Sequence, residues 1–151
     1  MANVTTETLT SADADTFTAL ARLLPQVSSR AGALTRERVA TILASSSTKV
    51  VIARLDGSVM GMALLLVCTT LTGQFGLVEE VAVDEVARGR HVGVALMVHL
   101  LQLASGSGLD FVELTSRPSR VAANGLYRSL GFRLRETNCY RHDLSELPEL
   151  R

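Results

Sequence analysis

The sequence has no surplus of either charge, because fifteen Lys and Arg residues balance fifteen Asp and Glu. A protein that meets a run of phosphates needs a basic excess, so a nucleic-acid partner is not expected. Long apolar runs are missing too. The longest, Met60 to Cys68, is broken by Gly61 and falls well below the roughly 20 residues that cross a bilayer, so no membrane partner is expected. The opening stretch, MANVTTETLTSADAD, lacks the basic and apolar regions of a secretion signal, and a cytoplasmic location follows as the expectation. Only two cysteines occur, Cys68 and Cys139, without redox or metal-ligand spacing. They read as thiols in a reducing compartment. His91, His99 and His142 also lack ligand spacing, so no metal is expected.

What remains is an ordinary globular composition. The chain of 151 residues is 47% hydrophobic and 20% charged, which supports one packed domain over residues 1–151 and argues against disorder. No repeat, low-complexity tract or linker interrupts it.

A strand is expected over Asn3 to Leu9, followed by a polar helix start at Ser11-Ala12-Asp13. Phe17, Leu20, Leu23 and Leu24 recur at helical spacing until Pro25. Thr35 is a second cap, ahead of an apolar face made by Val39, Ile42 and Leu43. Two strands rich in aliphatic and β-branched residues, Lys49 to Leu55 and Ser58 to Thr69, flank Asp56-Gly57. That dipeptide signals an antiparallel hairpin. A third strand runs from about Gly76 to Val83. A helix from Val92 to Ser105 ends at Gly106-Ser107-Gly108, and Phe111 to Thr115 forms another strand. Pro118 suits the first turn of a helix reaching Leu130, which Gly131 terminates. A final strand pair is expected over Phe132 to Leu144, with a loose tail from Ser145 to Arg151. The order describes one α/β (α+β) domain with a mixed, mostly antiparallel sheet flanked by helices.

The stretch GLVEEVAVDEVARGRHVGV, Gly76 to Val94, carries the chemistry. A strand passes through a turn into a helix start, which delivers backbone N–H groups to an anion. Arg88 and Arg90 add positive charge there, and Gly89 and Gly93 let the main chain approach closely. This arrangement predicts a pyrophosphate site.

The loop Arg88-Gly89-Arg90-His91-Val92-Gly93, preceded by Val81-Ala82-Val83, resembles the pyrophosphate loop of the GCN5-related N-acetyltransferases. Asn124-Gly125-Leu126-Tyr127-Arg128-Ser129-Leu130-Gly131-Phe132 is similar to that family's second signature. The two motifs stand in the family's order, and the element order matches its fold across nearly the whole chain. Gly76-x-Val78-Glu79-Glu80-Val81-Ala82-Val83 is further similar to the equivalent strand of eukaryotic glucosamine-6-phosphate N-acetyltransferases. Two positions depart from the pattern: His91 replaces the first loop glycine, and Arg120 stands where many relatives carry a coenzyme-contacting Asn.

The resemblance implies acetyl-coenzyme A as cosubstrate and a small-molecule amine as acceptor. It places the coenzyme against Val81, Ala82 and Val83, against Arg88, Gly89, Arg90, His91, Val92, Gly93 and Val94, and near Arg120 and Asn124. A backbone N–H at Val81 would serve the oxyanion. An alkyl amine with a pKa near ~10.4 is mostly protonated at neutral pH, so a carboxylate is needed to take its proton. Glu79 and Glu80 are the candidates; strand alternation sends them to opposite faces unless a bulge intervenes, and the resemblance implies such a bulge. Tyr127 is the candidate acid for the departing thiolate, and Arg117 and Tyr140 are candidate acceptor contacts. Two other readings stay open: transfer to a protein or peptide amine, and a coenzyme-A-binding sensor without turnover. Tyr140 to Leu144 also suggests a homodimer.

Overall fold

The computed structural model describes residues 2–30 and 32–147. Four helices flank a five-stranded sheet with strand order β1-β2-β3-β4-β5. The strands are β1 (Val4–Thr8), β2 (Thr48–Leu55), β3 (Ser58–Thr70), β4 (Gly73–Val83) and β5 (Val112–Glu113). Neighbours pair antiparallel except β4 with β5, which run parallel. The helices are α1 (Ala14–Leu23), α2 (Arg36–Ala44), α3 (Val92–Gly106) and α4 (Val121–Ser129).

Alternation along the central strands builds two cores. Val51, Ala53 and Leu55 of β2, with Ala63 and Leu65 of β3, face Val92, Leu96 and Leu100 of α3. Val50 and Ile52, with Met62 of β3, face Ala19, Leu20 and Leu23 of α1. Residues 50 to 53 are therefore buried on both faces, which explains their unbroken aliphatic character. Helix α3 lies close on β3 because Gly61 leaves room: a Cβ there would come within 2.8 Å of Leu96 and Val92. His99 pins α3 to the edge strand, its two ring nitrogens each 2.9 Å from a hydroxyl, Thr6 and Thr8.

Short polar side chains cap the first two helices. Asp13 accepts from the N–H of Thr16, and Thr35 accepts from that of Arg38. The hairpin at Asp56-Gly57 forms with both residues at positive φ, 49° and 88°.

Three elements depart from the sequence reading. Helix α4 begins at Val121 rather than at Pro118, because residues 117 to 120 close a turn in which Arg120 N–H bonds to Arg117 O. Strand β5 is only two residues long. The strand pair expected over Phe132 to Leu144 does not form: no helix or strand occupies 132–143, and residues 133–147 are exposed throughout. With β5 so short, the chain offers that segment almost no ladder to extend.

Candidate active site

Strand β4 is the spine of the site. It pairs with β5 only at Gly76 and Leu77, so beyond Leu77 one edge of β4 has no strand beside it. Asp84 N–H bonds to Met60 O of β3, and Ala82 is opposite Met62. By the two-residue alternation of a strand, Val81 and Val83 turn their amide groups to the open edge. An extended pantetheine arm could pair there.

The phase of β4 changes once. Leu64 is opposite Glu79 but Met62 is opposite Ala82, so two residues, Glu80 and Val81, share the place facing Ala63. Glu80 takes φ of 52° to make this bulge. As a result Val78, Val81 and Val83 all pack on the α3 side, while Glu80 lines a small cavity on the α1–α2 side, of about 40 Å³, with Leu20, Leu24 and Met62 among its walls. Alternation from Val78 puts Glu79 on that side as well, but exposed. Burial pushes the Glu80 carboxyl above its ordinary range, and the nearby Glu79 charge pushes it further. Glu80 is thus the more buried carboxyl of the two.

Below the strand, the loop reaches α3 with an unusual start. His91 caps the helix in the left-handed region, at φ of 64°, and its side chain makes no capping bond. The first intrahelical bond is Ala95 N–H to His91 O, so the N–H groups of Val92, Gly93 and Val94 are left for a ligand. The left-handed region admits His more readily than branched residues, which is how the loop keeps its path without the family glycine. Gly89 is also left-handed, at φ of 74°, and a Cβ there would meet nothing within 4 Å. Gly93 behaves differently from the sequence reading: its missing side chain faces Leu126 at 3.2 Å and Val83 at 3.7 Å. That side of Gly93 serves the packing of α3 on α4, while its N–H remains among those left open at the helix start. Arg88 and Arg90 are exposed, pairing loosely with Glu85 at 3.9 Å and Asp56 at 3.5 Å. Both are free to turn toward a pyrophosphate.

Tyr127 lies on α4, half-buried, with its ring edge-on to Phe132 at 5.8 Å. No hydrogen bond among the described residues uses its hydroxyl. Burial raises its pKa above the ordinary 10.0, and the Arg120 charge opposes that rise. Arg120 is therefore near the phenol and remains exposed. Asn124 spends its amide nitrogen on the loop before α4, donating to Arg117 O at 2.9 Å and Arg120 O at 2.7 Å. Only its side-chain oxygen is left to face a coenzyme. Arg117 is exposed in the same loop. Tyr140 stands 88% exposed on the segment after α4, where its hydroxyl accepts from Asn138 Nδ2. The structure does not gather it with Glu80 and Tyr127.

One pair at the site has no local sequence signal. Asp84, buried at the exit of β4, forms an ion pair with Arg22 of α1, and Arg22 also donates to Val59 O at 2.9 Å. Asp84 accepts from Val86 N–H as well, shaping the turn that leads into the loop. Among the described residues no cluster of His, Cys, Asp and Glu could hold a metal, and no helix is long and apolar enough to cross a membrane.

A bare strand edge beside a helix N-terminus offers backbone hydrogen-bonding groups and open N–H donors suited to an extended, phosphate-bearing cosubstrate. Residues 15–132 match the model of the acetyltransferase (GNAT) family, and the chain belongs to that family as an N-acetyltransferase. Family members use acetyl-coenzyme A. No curated protein matches the sequence. Among solved structures, the chain is similar to an aminoglycoside acetyltransferase from an uncultured soil metagenomic sample. That match has a TM-score of 0.81 and 19% identity, covering 93% of this chain and 95% of the other. An acetyltransferase from Trypanosoma brucei gives a TM-score of 0.76 and 25% identity, over 94% and 100% of the two chains. Glucosamine-6-phosphate N-acetyltransferase from Arabidopsis thaliana gives 0.78 and 17%, over 93% and 98%.

Proposed function

We propose that the protein transfers acetyl from acetyl-coenzyme A to a primary amine of a small molecule, by direct attack while both substrates are bound. The observation that carries this reading is the division of labour across β4. Glu80 lies on the α1–α2 side, while Tyr127 and the phosphate-binding loop lie on the α3–α4 side. Glu80 takes a proton from the acceptor ammonium, directly or through a water, and the freed amine attacks the thioester carbon. The amide N–H of Val81 or Val83 on the open edge stabilises the oxyanion, a contribution of about 3 kcal/mol per donor in other enzymes. The nitrogen of the tetrahedral intermediate gives its second proton to solvent, and the carbon–sulfur bond breaks. The thiolate takes a proton from Tyr127, and amide and coenzyme A leave. Glu80 then loses its proton to solvent, and the Tyr127 phenolate regains one from it.

Names among the similar structures, aminoglycoside and glucosamine-6-phosphate acetyltransferases, support a small-molecule acceptor. The test is initial-rate kinetics with both substrates varied, using free amines and short peptides as acceptors. Intersecting double-reciprocal lines with free amines are expected. Parallel lines would replace direct attack by an acetyl-enzyme, and turnover confined to peptides would replace the small-molecule acceptor.

A further inference from the structure

The cavity beside Glu80 has one acidic wall and is otherwise aliphatic. Ten residues line it, and apart from Glu80 each is Leu, Ile, Val or Met. Leu20 and Met62 are among its buried walls, whereas Leu24, Leu34, Ile42 and Leu64 are only half-buried. Aliphatic surface therefore continues outward from the cavity to solvent. Among the described residues no ion pair neutralises the Glu80 carboxyl. The bulge in β4 turns that carboxyl away from α3 and sets it alone in an apolar wall. A buried charge calls for a partner of opposite sign.

An acceptor ammonium supplies that charge, and the rest of the acceptor then meets hydrocarbon. A phosphate finds no cation on these walls. Arg22 of α1 is held by Asp84 and Val59 O, and Arg36 of α2 lies over the Phe17 ring at 4.7 Å. Sugar hydroxyls would leave water for walls that offer no hydrogen-bonding side chain except Glu80, and each unpaired hydroxyl weakens binding. A polycation would bring several ammonium groups to one carboxyl, since the neighbouring Glu79 is exposed and lies outside these walls. The cavity, of about 40 Å³, holds about three non-hydrogen atoms at roughly 10–15 Å³ each. We propose, on the reading of Glu80 as the base, that the acceptor is a primary amine carried on an apolar chain. Its ammonium meets Glu80, and its chain lies against Met62 and outward over Leu24 and Leu34.

The test is kcat/KM of the full chain with acetyl-coenzyme A for ethylamine, butylamine and hexylamine, beside glucosamine 6-phosphate and sisomicin. The three alkylamines are alike in basicity, so the series isolates the chain. Each methylene that leaves water is worth about fourfold, so butylamine should exceed ethylamine by about tenfold, with a further gain to hexylamine. Both sugar derivatives should fall at least about tenfold below butylamine. The double variant Leu24→Ser with Leu34→Ser should flatten the rise with chain length, while calorimetry still shows acetyl-coenzyme A bound. A flat or falling alkyl series overturns the apolar acceptor, as does a preference for either sugar derivative; transfer to a small-molecule amine survives both results. A slope that the double variant leaves unchanged also overturns it, because the chain then lies elsewhere. No product from any of these amines with folded, coenzyme-bound protein overturns the apolar acceptor and the proposed function together.

Discussion

Glu79 and Glu80 are adjacent in a strand, yet both lie on the α1–α2 side of the sheet, because the left-handed turn of Glu80 inserts an extra residue opposite Ala63. The pair differs in burial, and the proposed function assigns the base to the more buried Glu80. Glu80→Gln should lower kcat/KM by roughly 10²–10⁴, the usual contribution of a positioned general base. Glu79→Gln should keep turnover and shift the acidic limb of the pH–rate profile to lower pH. Removing the Glu79 charge lowers the Glu80 pKa, so the base is ready at more acidic pH. Rate profiles of the two variants check both outcomes.

The same carboxyl has a thermodynamic signature. Its folded pKa lies above the ordinary 4.5, so the folded state holds the proton more tightly than the unfolded chain. Its stabilising contribution is full below about 4.5 and is lost as pH rises through the raised folded value. Glu80→Gln escapes that loss. Thermal melts should show the variant more stable than the native protein at neutral pH, with the gap closing on acidification.

Tyr127→Phe keeps the edge-on contact with Phe132 and removes the hydroxyl proposed to protonate the thiolate. We expect kcat to fall by about 10²-fold or more while calorimetry shows acetyl-coenzyme A bound as before. Native turnover in this variant would reduce Tyr127 to a packing residue.

Two glycines should fail in different ways. At Gly89 a side chain meets open space but the left-handed backbone disfavours it by about 1–2 kcal/mol. Gly89→Val should therefore weaken coenzyme binding far more than it lowers the melting temperature. Gly61→Val forces a side chain into Leu96 and Val92, an overpacking worth about 1–3 kcal/mol of stability. Melting curves and coenzyme titrations on both variants separate ligand approach from packing.

Arg22→Ala leaves Asp84 buried without its partner. Because the Arg22 side chain is 46% exposed, solvent screens the pair, and the expected loss is about 1–2 kcal/mol rather than that of a fully buried bridge. Denaturant unfolding measures it.

The chain wrote its local rules openly. Asp13 and Thr35 announce their helices, Asp56-Gly57 announces its hairpin, and residues 50 to 53 announce a strand buried on both faces. The loop from Arg88 to Val94 and the segment around Tyr127 were legible as motifs. Long-range geometry was not. The choice between Glu79 and Glu80 depends on a bulge set by pairing with β3, which no spacing within β4 reveals. Arg22 and Asp84 meet only after α1 has packed across the sheet, and Gly93 shows its purpose only when Leu126 is in place. The alternation after Phe132 predicts an internal strand pair, whereas β5 is too short to receive one.

The most direct test of the account is to measure amide product by mass spectrometry for a panel of primary amines with acetyl-coenzyme A. The native protein, Glu80→Gln and Tyr127→Phe would be compared at equal coenzyme saturation. The account predicts product with the native protein and a loss of roughly 10²-fold or more in each variant. Equal rates in all three would contradict the assignment of base and acid on the two sides of β4. So would folded, coenzyme-bound native protein that acetylates none of the amines.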